Sequence, residues 1–216
     1  RWAHWCYGNH SNLFFGDFRL DSAAGVQQGD PLGPLLFACC VQPLVLSIDR
    51  LFRRGQHADP DGFTLFYLDD GILCGNVQTV AASLRLIAEE AASLGLRLKL
   101  SKSELILPAG SSSATLTSLF PRDLLFDDKG QDKVIRSGNF EFLGAPIGDS
   151  AFCENHASER VGKARKLLTA ISTLPDPQVG LRLIRTCAGF CRLVYSARVV
   201  CPDLQSAALR SFDTII

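Results

Sequence analysis

The stretch Phe63-Thr-Leu-Phe-Tyr-Leu-Asp-Asp-Gly-Ile-Leu-Cys74 constrains the chain more than any other. Two apolar runs, rich in aromatic and branched residues, flank a short polar turn, which is the sequence form of a β-hairpin. If both strands enter a core, the turn is the only place left for charge. Asp69 and Asp70 then stand side by side on a rigid mount, and their mutual repulsion favours a cation between them. Mg²⁺ suits such a pair, because it is a hard ion that takes carboxylate oxygens together with substrate phosphates. Two such ions about 3.5–4 Å apart can clamp the attacking and leaving oxygens of a phosphoryl transfer. The plain alternative is an ordinary turn, since Asp tolerates turn geometry and Gly71 supplies positive φ.

What shifts the balance lies upstream, in Gly25-Val-Gln-Gln-Gly-Asp-Pro-Leu-Gly-Pro-Leu-Leu-Phe37. Its neutral reading is a helix lead-in, with Asp30 as N-cap and Pro31 at the first helical position. From Gly29 to Asp69 the gap is 40 residues. Two ordered motifs at this spacing are far more specific than either alone. Together they resemble the palm of reverse transcriptases from retrotransposons, most nearly those without long terminal repeats. Further resemblances extend the match over nearly the whole chain.

The resemblance implies an α+β fold: an incomplete right-hand polymerase palm, with an antiparallel sheet and helices packed on one face, followed by a helical thumb. Residues 1–150 correspond to the partial palm and 151–216 to the thumb-like part. It also implies RNA-directed DNA polymerisation, in which the primer 3′-hydroxyl attacks the α-phosphate of a dNTP and pyrophosphate leaves. The implied partners are an RNA template, a DNA primer or RNA–DNA hybrid, and dNTP. The implied cofactor is Mg²⁺, two ions, with Mn²⁺ as a substitute.

Residue by residue, the resemblance makes Asp69 the main metal ligand and Asp70 a second that shares or orients the ion. Tyr67 would abut the primer end. Gln28 and Gly29 would lie against the incoming nucleotide and the template base, where a residue without Cβ allows close approach. Lys102 would approach the leaving pyrophosphate as a cation or general acid, with Lys99 competing for that role and a solvated surface lysine as the plain alternative. Phe140-Glu-Phe-Leu-Gly-Ala-Pro-Ile-Gly148 resembles the primer-gripping hairpin, with Leu143 and Gly144 carrying the match; otherwise it is a buried hairpin.

The remaining elements follow from pattern. Residues 1–10 read as a helix tail broken at Gly8, and Ser11–Leu20 as a strand with a bulge or tight bend at Gly16. Pro31–Phe52 reads as a long helix, apolar nearly all round and hence buried on most sides, with Pro43 kinking it. Its 18-residue apolar core barely reaches membrane-spanning length, and a buried helix is the expectation, with no membrane contact. Arg53–Asp61 reads as a polar loop closed by an Asp59-Pro60-Asp61-Gly62 turn. Val77–Leu94 repeats apolar residues at helical spacing and stops at Gly95. Leu96–Leu107 alternates as a strand.

Pro108–Ser118 is a polar loop. Short strands are expected near Leu124–Phe126 and Lys133–Arg136, around an Asp127-Asp128-Lys129-Gly130 turn. That second Asp-Asp pair has no apolar strands behind it and reads as a turn alone. Beyond Ala151 the chain reads as helical: Cys153–Leu174, then a second helix started by Asp176 and Pro177 and running to Val199. On the latter, Val179, Leu183, Cys187, Phe190, Val194 and Ala197 share one face. Arg182, Arg185 and Arg192 form a basic stripe on another, suited to a phosphate backbone or to a solvated face.

Charge is uneven though the net is zero: residues 151–216 carry nine Lys and Arg against five Asp and Glu. A basic block after an acidic one suits a template-gripping part behind a metal-binding part. The eight cysteines form no Cys-x-x-Cys pair; within apolar runs they read as buried free thiols in a reducing, intracellular compartment, cytoplasm or nucleus. There is no signal-peptide pattern at residues 1–12.

The resemblance also requires a metal-binding Asp upstream of the Gln-Gly-Asp-Pro loop, and nothing in residues 1–20 resembles that segment or the fingers. The chain begins at Arg and holds no Met, so a piece of a longer polypeptide, inactive alone, is the expectation. Two other classes compete: a domesticated, non-catalytic nucleic-acid-binding module, and a pseudogene remnant.

Overall fold

Helix and hairpin in the first part of the chain share one apolar seam. In the computed structural model, Val41, Leu44, Ile48 and Phe52 are buried along one face of a 22-residue helix, at the spacing that puts side chains over one another in successive turns. The structure describes residues 1–108 and 116–216. These divide into two compact units, Arg1–Lys99 and Leu100–Ile216.

The first unit opens with α1 (Trp2–Tyr7), ended by Gly8. Ser11–Leu20 is not one strand. It folds back at Gly16, whose φ is +58°, into β1 (Ser11–Phe15) and β2 (Phe18–Ser22), because glycine accepts the left-handed turn that a strand interior does not need. Next comes α2 (Gly33–Arg54). It begins two residues later than the Asp30–Pro31 reading, with Pro34 in its first turn. The side chain of Asp30 instead accepts the Leu32 N–H at 2.9 Å, holding a turn ahead of the helix. Nor is α2 buried on most sides: its seam faces α3 (Val77–Ser93) and β3 (Phe63–Tyr67), while Leu35 and Leu46 are exposed. By length and composition alone it could cross a membrane. Pro43 lies inside it.

β3 pairs antiparallel with β4 (Asp70–Cys74). Phe66 and Leu73 of this hairpin, with Val80 and Ile87 of α3, close over Leu44, Ile48 and Phe52. Asn76 caps α3 through the Thr79 N–H, and Gly95 at φ +74° follows its end.

The expected strand over Leu96–Leu107, which runs across the boundary between the two units at Lys99, is absent. Leu100–Lys102 is a 3₁₀ turn, and only Ile106 makes a bridge, to Ile135. Alternation specifies a strand only where a partner edge is offered, and here the neighbour is a short irregular segment. Of the polar loop over Pro108–Ser118, residues 109–115 lie outside the described residues, and its end has become α4 (Leu116–Leu119). α5 (Arg122–Leu125) replaces the strand expected at Leu124–Phe126, and Lys133–Arg136 contributes only the Ile135 bridge. Buried Leu124 and Leu125 turn inward from α5, which a helical turn permits and strand alternation does not.

β5 (Phe140–Phe142) and β6 (Ala145–Ile147) form the third hairpin. The fold class is α+β, and among the described residues its antiparallel pairing takes the form of three separate two-stranded hairpins. α6 (Ser150–Ser172) is capped by Asp149 and packs on α9 (Pro202–Asp213) around Ala157, Val161, Leu168 and Phe212.

The single helix expected from Asp176 to Val199 is broken. α7 (Pro177–Leu183) starts as read, with Asp176 accepting the Gln178 and Val179 N–H groups. It then widens into a π-turn at Ile184–Ala188, stops at Gly189, and resumes as a 3₁₀ turn and α8 (Val194–Val199). At Gly189 a Cβ would lie 2.7 Å from the Ile184 carbonyl oxygen, so the tight return bond from Gly189 N–H to that oxygen tolerates only glycine. The Thr186 hydroxyl and Cys187 thiol also donate to carbonyls one turn back, a competition that loosens helices. The apolar face read over this segment is therefore lost: Val179, Cys187 and Phe190 are exposed, and Ala188, Leu193 and Val200 are buried instead.

All eight cysteines are free, and six are exposed rather than buried. Cys39 and Cys40 occupy the outward side of α2, and Cys74 ends β4.

Candidate active site

The β3–β4 hairpin is seated at its base. The Phe52 ring lies against both Gly62 and Gly75, the residues just before β3 and just after β4; a Cβ there would sit 2.6 and 2.7 Å from ring carbons. Asp59 completes the mount, accepting the Gly62 N–H at 3.2 Å and the Asn76 N–H at 2.5 Å. Above the base, the Phe66 ring covers Gly71, its cross-strand partner, where a Cβ would meet ring carbon at 2.5 Å.

At the tip, Tyr67 pairs with Asp70, leaving Leu68 and Asp69 as the two-residue turn. Leu68 has φ +55°. A bulky residue in that region is strained by about 1–3 kcal/mol, and such outliers cluster at functional sites. The two strands do not both enter a core. Phe63, Leu65 and Tyr67 are exposed on the face away from α2, because a single layer of helices covers only one side of the hairpin.

Asp69 and Asp70 are exposed, and among the described residues neither carboxylate accepts a hydrogen bond or makes an ion pair. The contrast with Asp127-Asp128 is direct. There the Asp127 carboxylate accepts the Lys129 N–H at 2.9 Å and the Gln131 N–H at 2.7 Å, so it serves its own turn. The carboxylates of Asp69 and Asp70 keep their lone pairs. Two carboxylates fit Mg²⁺, which is held by one or two protein acids while substrate phosphates and water fill the rest. No cluster of three or more His, Cys, Asp or Glu that could hold a metal occurs among the described residues.

Gln28 and Gly29 lie in the same unit, exposed in the loop before α2. Gly29 has φ +89° and open space where a Cβ would project. The loop is tied to α1. The Tyr7 hydroxyl donates to the Asp30 carboxylate and accepts the Gln27 N–H at 3.5 Å. The bond raises the Tyr7 phenol above its ordinary range, and the same bond, with the Leu32 N–H, lowers the Asp30 carboxyl. Sequence reading missed Tyr7, which stands outside any motif.

The second unit carries the other candidates. Lys102 is exposed on the 3₁₀ turn. Leu143 and Gly144 form the β5–β6 turn, with φ +51° and +78°. The hydroxyl of Tyr195 on α8 donates to the Leu143 carbonyl, and Arg160 of α6 donates to Glu141 of β5 at 3.4 Å. Tyr195 too was invisible in the sequence, since it lies 52 residues downstream. Arg182, Arg185 and Arg192 are exposed but form no continuous stripe. The break at Gly189 separates Arg192 from the other two, and its guanidinium donates to the Cys187 carbonyl at 2.7 Å, capping the π-turn.

Compared with known proteins, residues 2–147 match the family model described as "Reverse transcriptase (RNA-dependent DNA polymerase)". Searches of curated proteins and of solved structures returned no match. The match spans well over half of the chain and includes both the Gln-Gly loop and the Asp-Asp hairpin. This chain belongs to the reverse transcriptase family.

Proposed function

We propose that the chain serves template-directed nucleotidyl transfer in a retrotransposon-type reverse transcriptase, extending a primer 3′-hydroxyl with dNTP on an RNA template. The observation that carries this is the tip of the β3–β4 hairpin: two adjacent carboxylates without protein partners, on a strained turn above a rigid base. Asp69 and Asp70 would hold two Mg²⁺ ions. When bound, Mg²⁺ neutralises triphosphate charge and stabilises the attacking and leaving oxygens.

The chain's own contribution is position. The hairpin base fixes where the carboxylates stand, so little reorganisation accompanies substrate binding. Tyr67, exposed and paired with Asp70, offers an aromatic face to the primer end. Gln28 and Gly29 present an amide and bare backbone to the nucleotide and template base. For the second unit, the same reading assigns Lys102 to the leaving pyrophosphate, Leu143 and Gly144 to the primer strand, and Arg182 and Arg185 to the phosphate backbone. Arg192 is engaged by its own backbone and is the weakest of the three. The boundaries of palm and thumb, 1–150 and 151–216, belong to this reading.

Since the described residues hold only this pair of carboxylates at the hairpin, we expect no primer extension from the 216 residues alone; Mg²⁺-dependent synthesis by them would overturn that expectation. In a primer-extending polypeptide that carries these residues, Asp69→Ala removes extension by about 10³-fold or more, on the order of one metal-clamp interaction. Retained extension would refute the assignment of the metal site to Asp69. Salt-dependent binding to nucleic acid that survives Asp69→Ala, with no extension by the wild type, would favour a non-catalytic binding module.

A further inference from the structure

We propose that Tyr7 is a positioning residue for the Gln28–Gly29 loop, its phenol bridging the two flanks of that loop and fixing the backbone that a nucleotide meets. The inference rests on the reading of this loop as a nucleotide contact and deepens it.

The geometry is specific. Tyr7 ends α1, and its oxygen makes two bonds, accepting from Gln27 N–H at 3.5 Å and donating to the Asp30 carboxylate. The residues between these two anchors are Gln28 and Gly29. Asp30 is itself held on every side. Its other carboxylate oxygen accepts Leu32 N–H at 2.9 Å, its N–H donates to the Gln27 carbonyl at 3.3 Å, and its carbonyl accepts Gly33 N–H at 3.0 Å. The backbone of Gln27 and both the backbone and the carboxylate of Asp30 are thus engaged, and the exposed backbone between them is left for a ligand. A glycine at φ +89° with nothing packed on it is otherwise the softest point of the loop. A hydrogen bond to an ionised carboxylate is about twice as strong as a neutral one, which suits it to restrain such a point. With donors on both oxygens, Asp30 is also a poor candidate for a third metal carboxylate.

Capping alone does not require Tyr7. The Asp30–Leu32 bond holds the turn before α2 whether or not a phenol is present. What the phenol adds is the link from the far flank of the loop to the near one.

The test uses a polypeptide carrying these residues in primer extension, with dNTP varied at saturating primer–template. Tyr7→Phe keeps the ring and removes only the bridging oxygen. The expected result is a dNTP KM raised about five- to tenfold with kcat within about twofold, the pattern of lost ground-state positioning. Amide exchange should accelerate at residues 27–30 without change elsewhere. Asp30→Asn keeps an acceptor for Leu32 N–H but loses the charge; combined with Tyr7→Phe it should add little to the KM change. An active wild type whose KM is unmoved by Tyr7→Phe overturns the inference alone. The inference is equally overturned if KM, kcat and melting temperature all worsen together, which marks a merely structural role. A wild type that extends no primer refutes the polymerase reading, and the positioning role falls with it.

Discussion

The seat of the β3–β4 hairpin can be tested through Phe52 and Gly75. Phe52 is 2% exposed and its ring touches the glycines at both ends of the hairpin. Phe52→Ala should cost about 3–5 kcal/mol, the sum of lost transfer energy and a residual cavity. Gly75→Ala should cost about 1–3 kcal/mol by overpacking, because its Cβ would stand 2.7 Å from ring carbon Cε1 and 2.8 Å from the Asp59 carboxylate. With the ring gone the first clash disappears, and the methyl enters space that the truncation has opened. The double variant should therefore be more stable than additivity predicts, by about 1–2 kcal/mol. Native-state amide exchange along α2 and α3 reads the opening energy of this unit separately from the other. Agreement with additivity within about 0.5 kcal/mol would refute the contact between ring and glycine, and with it the claim that Phe52 mounts the hairpin.

Three further outcomes follow from the same contacts. Asp127→Ala should lower stability by about 1 kcal/mol, since its carboxylate holds two amides of its turn, whereas Asp69→Ala should stay within about 0.5 kcal/mol; urea unfolding monitored by circular dichroism compares them. Tyr195→Phe should cost about 0.5–1.5 kcal/mol and speed amide exchange in β5 and β6, because it frees the Leu143 carbonyl. Asp149 is held below the usual carboxylate range by the Asn139 side chain and then the Phe152 N–H; a depressed folded-state pKa gives stability that is present above the unfolded pKa and lost as pH falls through the folded one. Asp149→Asn keeps a cap without titrating, so melting against pH should show a shallower acid limb than the wild type.

The parts legible in the sequence were those whose cause is local. Asp176 and Pro177 start α7 because a cap and a fixed φ act within one turn. The Asp-Asp hairpin follows from the two apolar runs that flank it, although its turn is Leu68-Asp69 with the positive φ at Leu68, while Asp70 and Gly71 belong to β4. What failed depended on neighbours distant in sequence. Leu96–Leu107 alternates, but a strand needs an edge, and only Ile135 offers one. The helix through Gly189 is the exception, since its cause is local: a tight return bond to Ile184 and two side chains competing for carbonyls one turn back override an unbroken apolar period. Tyr7 and Tyr195 act across 23 and 52 residues, and no pattern of their own marks them. The apolar surround of α2 misled for a related reason: composition states how much apolar surface exists, not how much of it has a partner.

Two leucines, Leu68 and Leu143, are the only non-glycine residues with positive φ among the described residues, and each opens the turn of a hairpin that sequence resemblance singles out. Their supports differ. At Leu143 the strained carbonyl is held by Tyr195 and is followed by Gly144, whose own positive φ completes the turn at no steric cost. At Leu68 no glycine follows, and the carboxylates of Asp69 and Asp70 bring no hydrogen bond of their own. That turn is carried from below, by Phe52, Asp59 and the Phe66–Gly71 cross-strand contact. A strained tip on a stiff base with its carboxylates unpartnered is stable only while the base holds. Under the proposed function, the partner of those two carboxylates would come from outside the hairpin, as a cation that offsets their mutual repulsion.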